Sequence, residues 1–384
     1  MNNIDKLRQN ERILNHLDIM EKKLNINYIP VGLLEFHPYD KCPLSCLFCT
    51  YHKDKSDVFG YENLEKLKIF NPRAIVISGG GEPVYYKDGK YKFDDLIKKI
   101  REMFPKAQLG LTSNGQFVPQ GDWYNEFDWI RISIDTNNER TFKIIKDGKL
   151  SSSINSLKQM IGTPIKHVGA GFVYSRFNIW EIYDFLRMIY TDVYLNTNEK
   201  DRDKLNVQFR PTCMVQSCNC PSDSYKSTGQ LMVPDEKDWW QEYVELELKK
   251  IFVNSDIDFQ RFVLEHSNLN RDTLFKLNNS KPTFTKCWNS LARILVRANG
   301  DLYPCVMRAC NSSKPIANIL NCNNPNMIYY NQMLYHNLCE GYCDGADSCC
   351  RLDGQKNEIV DKYVKETGFK KIKIKKETGI DYFF

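Results

Sequence analysis

The sequence has no uninterrupted apolar run of the ~18 residues that a membrane-spanning helix requires, so a chain built on such helices is excluded. Histidine is scarce, 6 residues against 14 cysteines. No charge sign dominates, because 53 basic and 48 acidic residues leave only +5, too weak a balance to argue for nucleic acid or a membrane surface. There is no internal repeat and no long low-complexity tract, which sets aside solenoid and array architectures. The opening MNNIDKLRQNERIL carries charges where a signal peptide needs an apolar core, so the expected location is the reducing cytoplasm. In that compartment thiols are not kept as disulfides, and 14 of them point to metal binding or catalysis. At 42% hydrophobic the chain is too apolar to be disordered, and its 384 residues suffice for two to three domains or one large α/β barrel with an appendage.

Six β-rich runs follow one another from Val31 to Pro38, Arg73 to Gly80, Ala107 to Asn114, Trp129 to Asp135, His167 to Tyr174 and Leu205 to Pro211. Helix-like segments such as YENLEKLKIF, FDDLIKKIREMF and NIWEIYDFLRMIY separate them. Strand and helix alternating at this pitch imply right-handed crossovers and a parallel sheet. Six units fall short of the eight of a closed barrel, so the expected fold class is α/β, a partial (β/α)6 TIM-type barrel with a C-terminal Cys-rich domain. Residues 191–204 read as a loop. After Pro211 come the loop TCMVQSCNCPSDSYKSTG, a helix from Pro234 to about Val253, and a Cys- and Asn-rich region from Cys287 to Cys350. Metal rather than a large apolar core is expected to hold that last region together. The expected division is a helical extension over 1–30, the barrel over 31–215, a connecting helical region over 216–284, the Cys-rich domain over 285–355 and a tail over 356–384. The tail GFKKIKIKKETGIDYFF alternates basic and apolar residues like an exposed strand with a solvated face.

The sharpest constellation is Cys42-Pro-Leu-Ser-Cys46-Leu-Phe-Cys49, directly after the first strand. Three thiolates within eight residues can wrap one metal centre. Completed by His52 they could close a structural zinc site, whereas a cluster that must also bind a ligand leaves one iron open. The second strand ends in Ser78-Gly79-Gly80-Gly81-Glu82-Pro83, at the carboxyl edge where parallel α/β folds build their sites. Consecutive glycines admit a ligand close to the backbone, and a following carboxylate can accept from an ammonium group, although a tight turn needs the same glycines.

Together these motifs resemble those of the radical S-adenosylmethionine (radical SAM) superfamily: CxxxCxφC with an aromatic φ, here Phe48, then a GGEP motif, here Gly80-Gly81-Glu82-Pro83. The resemblance covers about Val31 to Pro211. It implies that Cys42, Cys46 and Cys49 hold a 4Fe-4S cluster whose fourth iron binds the amino and carboxylate groups of SAM. The backbone near Phe48 would touch adenine, and Glu82 with its glycines would take the methionine amine. By the same resemblance Ser113, Asn114, Ser133 and Asp135 point toward the methionyl and ribose parts, and Asn178 matches a recurrent asparagine after the fifth strand. A strand-end Ser or Asn also caps the next helix, a role equally open to Ser113, Asn114 and Asn178. Where the family often has glycine after the aspartate and an Arg-Gly pair further on, this chain has Thr136 and Lys146-Asp147-Gly148. The implied chemistry is one-electron cleavage of SAM to a 5'-deoxyadenosyl radical that takes a hydrogen atom from the substrate. A flavodoxin or ferredoxin would supply the electron.

The stretch from Cys287 to Cys305 reads as Cys, twelve residues, Gly300, four residues, Cys, with Asn299-Gly300 as a hairpin turn. This resembles the opening of the SPASM and twitch auxiliary-cluster domains, and implies at least one auxiliary 4Fe-4S cluster. Cys287 and Cys305 would be ligands, followed by Cys339 and Cys343, then Cys349 and Cys350. The later spacing departs from SPASM, because Cys349 and Cys350 are adjacent and no cysteine follows. Cys310 and Cys322 do not fit the motif. A zinc-stabilised subdomain remains open for this region.

Relatives of this architecture include peptide and protein maturases and aminoglycoside dehydrogenases or epimerases, so the substrate is expected to be a peptide or an aminoglycoside-like small molecule. The ~30 residues before the first strand are too few for the leader-binding domain of many peptide enzymes. A contrasting class is a zinc-stabilised nucleic-acid-binding module without SAM chemistry, against which stand Glu82 beside the glycines and the lack of a basic stripe around the cysteines. Cys213, Cys218 and Cys220, after the sixth strand, are candidate hydrogen-atom donors to a substrate radical, or else structural thiols. If one is the donor, replacing all three by Ala changes the stereochemical outcome or stops turnover; unaltered product in a chiral product assay removes them from the mechanism.

Overall fold

Runs rich in Ile, Val, Leu and Phe form six parallel strands: β1 (Leu33–Phe36), β2 (Ala74–Ile77), β3 (Gln108–Ser113), β4 (Trp129–Ser133), β5 (His167–Tyr174) and β6 (Leu205–Pro211). The computed structural model describes residues 10–49, 51, 56–175, 177–211, 237–269, 284–310, 314–337, 351–370 and 380–383. The strands pair in chain order, with Leu33 opposite Ala74, Arg131 opposite both Thr112 and Gly169, and Gly171 opposite Gln208. Helices Phe93–Met103 and Leu150–Ile161 lie among the crossovers and bury one apolar stripe each, Phe93, Leu96, Ile97 and Ile100 in the first. The fold is α/β with a partial (β/α)6 TIM-type barrel.

Two crossovers differ from their sequence expectation. YENLEKLKIF is wound as a 3-10 helix over Tyr61–Phe70. Part of 191–204, expected as loop, is helical, with a π-helical turn at Ile189–Tyr194 and a short helix at Glu199–Arg202. The Arg202 guanidinium donates to the carbonyls of Thr197 and Leu195 at 3.2 Å each, closing the bend between them.

Alternation along the strands separates two faces. Leu34, Phe36, Ile75, Ile77, Leu109, Leu111, Ile130, Ile132, Val207 and Phe209 point into the helical layer and are sealed. Residues of the opposite face, Glu35, Val76, Thr112, Arg131, Ser133, Asn206, Gln208 and Arg210, all keep partial contact with solvent. A closed eight-stranded barrel fills its interior with branched side chains; this one seals its outside and leaves the polar lumen accessible.

The floor of the lumen is closed by the chain's end. Ile380 and Phe383 join Leu33, Ala74, Val76 and Trp129 in one apolar cluster, with the Phe383 and Trp129 rings 5.3 Å apart and edge to face. Tyr382 N donates to Gln108 Oε1 at 3.0 Å, and Asn15 Nδ2 to the Asp381 carbonyl at 2.7 Å. The tail expected on a solvated face therefore ends as a plug, because alternation alone does not reveal which surface receives its apolar residues. Residues 371–379, the basic part of that tail, lie outside the described residues.

The Cys-rich region continues the same sheet. Strand β7 (Arg293–Val296) pairs in parallel with β1, β8 (Asp301–Tyr303) turns back antiparallel, and β9 (Ala317–Asn318) completes a nine-stranded order β9-β8-β7-β1-β2-β3-β4-β5-β6. The Asn299-Gly300 turn forms as its sequence suggests, with Gly300 at φ +85° and Arg297 N donating to Asp301 O at 2.9 Å. A helix at Arg351–Thr367 spans the boundary expected between residues 355 and 356. Its buried Asp353 accepts from Arg293 Nη2 at 2.5 Å and Lys356 Nζ at 3.0 Å. Burial alone would raise this carboxyl, but the two cations hold it well below the ordinary range.

His16, in the 3-10 turn Asn10–His16 that precedes helix Leu17–Asn25, rests its ring on Gly32, where a Cβ would lie 2.2 Å from Nδ1. Its Nε2 lies 3.0 Å from the Tyr382 carbonyl and donates to it. Burial, with the Arg73 charge beside it, pushes the His16 pKa from 6.5 down to about 3. The unfolded chain therefore takes up a proton near 6.5 that the folded chain refuses until about 3. The contribution of neutral His16 is complete above pH ~6.5 and is lost as pH falls toward 3. Urea unfolding across that window is expected to show a slope shallower by up to one proton in His16→Asn than in the wild type; equal slopes overturn the assignment.

Candidate active site

The cysteine loop leaves the carboxyl end of β1 and is fastened by backbone to the end of helix Glu139–Lys146. Ser45 N donates to Lys146 O at 3.0 Å and Leu47 N to Ile145 O at 2.9 Å. Asp147, left-handed at φ 58°, ends that helix, and Gly148 leaves room for Leu44, whose Cδ2 would lie 2.6 Å from a Cβ there. Cys42 and Cys49 both lie within electrostatic reach of Cys46. Cys42 is exposed as a residue, yet enough protein surrounds its thiol for desolvation to push it up to about 11; burial pushes Cys46 to about 12. Phe48 is half-buried beside them.

The glycines after β2 press on the entry to this loop. A Cβ on Gly80 would lie 2.0 Å from Asp40 Oδ1, and one on Gly81 2.2 Å from the Lys41 carbonyl. In their absence Gly81 N donates to Tyr39 O and Glu82 N to Lys41 O, both at 2.9 Å. Pro83, buried, begins the short helical turn Pro83–Tyr85 and turns Glu82 inward.

Glu82 is 3% exposed and, among the described residues, forms no ion pair. Asn114 N donates to its Oε2 at 2.7 Å and Val84 N to its Oε1 at 3.5 Å, with Ser113 also bonded to it. Burial outweighs these donors and pushes the carboxyl up to about 7, as expected where a cation is missing. Asn114 joins the two motifs, since its Nδ2 also lies 3.7 Å from Cys42 Sγ.

The remaining sequence-derived residues are spent within the protein. Asp135, fully buried and at φ +71°, accepts from Lys146 Nζ at 2.7 Å and Val173 N at 2.7 Å, and its carbonyl accepts from Asn178 Nδ2 at 2.7 Å. Asn178 Oδ1 accepts from Ser175 N at 2.7 Å. The Ser133 carbonyl takes the Lys146 ammonium at 2.6 Å, while Ser133 itself faces the lumen. In this arrangement Asp135 and Asn178 hold the loops above β4 and β5, and Lys146 ties them to the cysteine loop.

Sequence reasoning passed over a polar chain beside the thiols. Tyr51 Oη lies 3.0 Å from His37 Nδ1, whose Nε2 lies 3.2 Å from Glu35 Oε1. The Arg297 guanidinium sits 5.3 Å over the Tyr51 ring and 3.4 Å from Asp40 Oδ2. The alternation in VGLLEFHP, with Glu35 and His37 between apolar residues, carried the signal that these two share the lumen face.

In the second field, Cys287 and Cys305 are half-buried. Cys287 N donates to His336 O at 2.9 Å, and its Sγ lies 3.9 Å from Asn357 Nδ2. Cys322 is turned to the Asn324 carbonyl at 3.2 Å. Cys339, Cys343, Cys349 and Cys350, His52, and Cys213, Cys218 and Cys220 lie outside the described residues, as does the side chain of Cys310.

Among the described residues no three Cys, His, Asp or Glu side chains converge on the point a single ion needs. A cube of four irons takes each thiolate on a different iron, so its ligands need not converge. Three neighbouring thiols and a buried carboxylate without a cation suit such a cube and a cationic ligand bound to it, at the carboxyl edge of a partial barrel.

Residues 36–189 match the sequence model of the Radical SAM superfamily. That match marks the stretch as a radical SAM domain and covers less than half of the chain. Its fold resembles that of Streptococcus suis SuiB bound to precursor peptide SuiA, with a TM-score of 0.54 at 15% identity over 82% of this chain and 67% of that one. SuiB bound to S-adenosylmethionine gives the same score and identity over 82% and 68%. Native anSMEcpe with bound AdoMet and Cp18Cys peptide gives 0.51 at 16% identity, over 88% and 97% of the two chains. No curated protein matches the sequence. Among the described residues no helix is long and apolar enough to cross a membrane.

Because a Cβ at residue 81 would lie 2.2 Å from a backbone carbonyl, Gly81→Ala must displace the Asp40–Lys41 segment. The expected result is a loss of ~1–3 kcal/mol in denaturant unfolding, with faster amide exchange at residues 81 and 82. Unchanged stability and exchange would show that the close approach is dispensable.

Proposed function

We propose that the protein is a radical SAM enzyme acting on a peptide or protein, with a SAM-binding 4Fe-4S cluster held by Cys42, Cys46 and Cys49. The observation that carries this reading is the link from Cys42 through Asn114 to Glu82, a buried carboxylate without a cation partner among the described residues. When bound, cluster and SAM supply the reductive cleavage that yields a 5'-deoxyadenosyl radical able to abstract a substrate hydrogen atom. The chain's residues bind and orient. Glu82 takes the methionine ammonium, Gly80 and Gly81 let it approach the backbone, and Asn114 holds the carboxylate in register with the thiols. Phe48 lies toward the adenine, and Ser113 and Ser133 toward the rest of the cofactor. Asp135, Lys146 and Asn178 position the loops. Sealed helices outside and an apolar plug below limit water access to the lumen from those sides.

A peptide substrate is favoured because two solved structures of similar fold carry peptides, SuiA and Cp18Cys. An aminoglycoside-like substrate is the competing outcome. We assign Cys287 and Cys305 to an auxiliary cluster whose other ligands come from Cys339, Cys343, Cys349 and Cys350. The hairpin that joins β7 and β8 supports this assignment by reversing the chain between the two thiols. The electron donor is expected to be a flavodoxin or ferredoxin.

Anaerobic reconstitution is expected to give a brown protein that cleaves SAM to 5'-deoxyadenosine under reductant. Replacing Cys42, Cys46 and Cys49 together by Ala should remove about four irons per chain and all cleavage. Glu82→Gln should keep the iron and weaken SAM binding ~10–100-fold by calorimetry. A colourless zinc protein with salt-dependent nucleic-acid affinity would overturn the reading in favour of the binding module.

A further inference from the structure

The lumen contains a cation that the proposed SAM chemistry does not use. Arg131 projects inward from β4, between the floor plug and Ser133, across the bare backbone of Gly169 and Gly171. A Cβ on Gly171 would lie 3.3 Å from Arg131 Cδ, and one on Gly169 3.6 Å from its Cγ. Side chains at these two positions would crowd the guanidinium. Arg131 Nη1 donates to Gln208 Oε1, and Nη2 to Thr112 Oγ1 at 3.2 Å. Both acceptors are neutral, and the buried Nε has no acceptor. Among the described residues no carboxylate forms an ion pair with Arg131. The nearest candidates are committed elsewhere, Asp135 to Lys146 and Glu35 to His37. Desolvation, and then the charge of Arg210, lower the Arg131 pKa to about 9.

A buried charge without a counter-ion is costly, and two guanidinium groups within electrostatic reach compound that cost. An arginine held flat by neutral acceptors while its remaining N–H groups lack charged partners is preorganised for a planar, two-oxygen anion. Its partial solvent contact shows that the lumen reaches it. We propose that Arg131, positioned by Gln208 and Thr112, binds a carboxylate of the substrate within the barrel, either an acidic side chain or a free C-terminus. The anion would neutralise Arg131 and anchor a peptide below the cofactor edge. This inference rests on the peptide-substrate reading above.

The probe pair is acetyl-Ala-Ala with a free carboxyl and the same dipeptide as its amide, titrated calorimetrically into the anaerobically reconstituted holoenzyme. The wild type is expected to bind the acid at least roughly tenfold more tightly than the amide. Arg131→Met should abolish this preference, and Arg131→Lys, which keeps the charge but not the fork, should restore part of it. If Arg131→Met fails to fold by circular dichroism, Gln208→Leu with Thr112→Val releases the fork and should reduce the preference several-fold. Equal binding of acid and amide by the wild type, or a preference that survives these variants, overturns the proposal. Iron content and peptide-free SAM cleavage, measured on the wild-type preparation, test the radical SAM reading separately: equal binding of acid and amide by an iron-replete, SAM-cleaving wild type counts against this inference alone.

Discussion

The site depends on a backbone approach that only glycine permits. Where β2 ends, Gly80 and Gly81 lie against Asp40 and Lys41 so closely that a methyl group would overlap them. The hydrogen bonds from Gly81 and Glu82 to Tyr39 and Lys41 form across that gap. They set the start of the cysteine loop, while the helix end at Ile145 and Lys146 sets its middle. Glu82 consequently reaches Asn114, and Asn114 reaches Cys42. Thiols from one loop, a carboxylate from a second and an amide from a third become one arrangement without a long side chain bridging them.

That arrangement sits over an unusual interior. The outer faces of the strands are sealed under helices, whereas the inner faces carry Glu35, Thr112, Arg131 and Gln208 with partial solvent access. Such polarity requires closure from below, which Ile380 and Phe383 provide against Leu33 and Trp129. The same end of the chain receives the hydrogen bond of His16, so the floor of the barrel joins residues from both ends of the described chain. The C-terminal hairpin adds β7 directly to β1, with Asp353 and Arg293 as a buried ion pair behind it. Removing Asp353 would take away the carboxylate that the buried Arg293 and Lys356 share, a costlier change than losing an apolar contact.

Much of the local structure was legible because it is encoded in short-range patterns. Short β-rich runs between helix-like segments located all six barrel strands, and Asn299-Gly300 located the hairpin turn whose φ of +85° only glycine takes without strain. The spacing of Cys42, Cys46 and Cys49 and the run from Gly79 to Pro83 marked the two loops that meet. Other features escaped that reading. The alternating part of the tail lies outside the described residues, and the face that receives Ile380 and Phe383 belongs to strands hundreds of residues away. Asp135 and Asn178 resemble ligand contacts in the sequence, and only the fold shows that they also bond to Lys146, Val173 and Ser175.

By itself, the sequence determined where the six barrel strands lie and that a glycine run follows the second of them, because each follows from residue type and spacing within a few positions. Tertiary structure alone decided that Glu82 is a buried carboxylate without a cation partner among the described residues, and that Arg131 lies on the inner face of the barrel without a carboxylate from those residues. The reason is electrostatic: whether a charged side chain is solvated, paired or stranded is set by groups distant in sequence, and those become neighbours only when the sheet curls and its floor is closed.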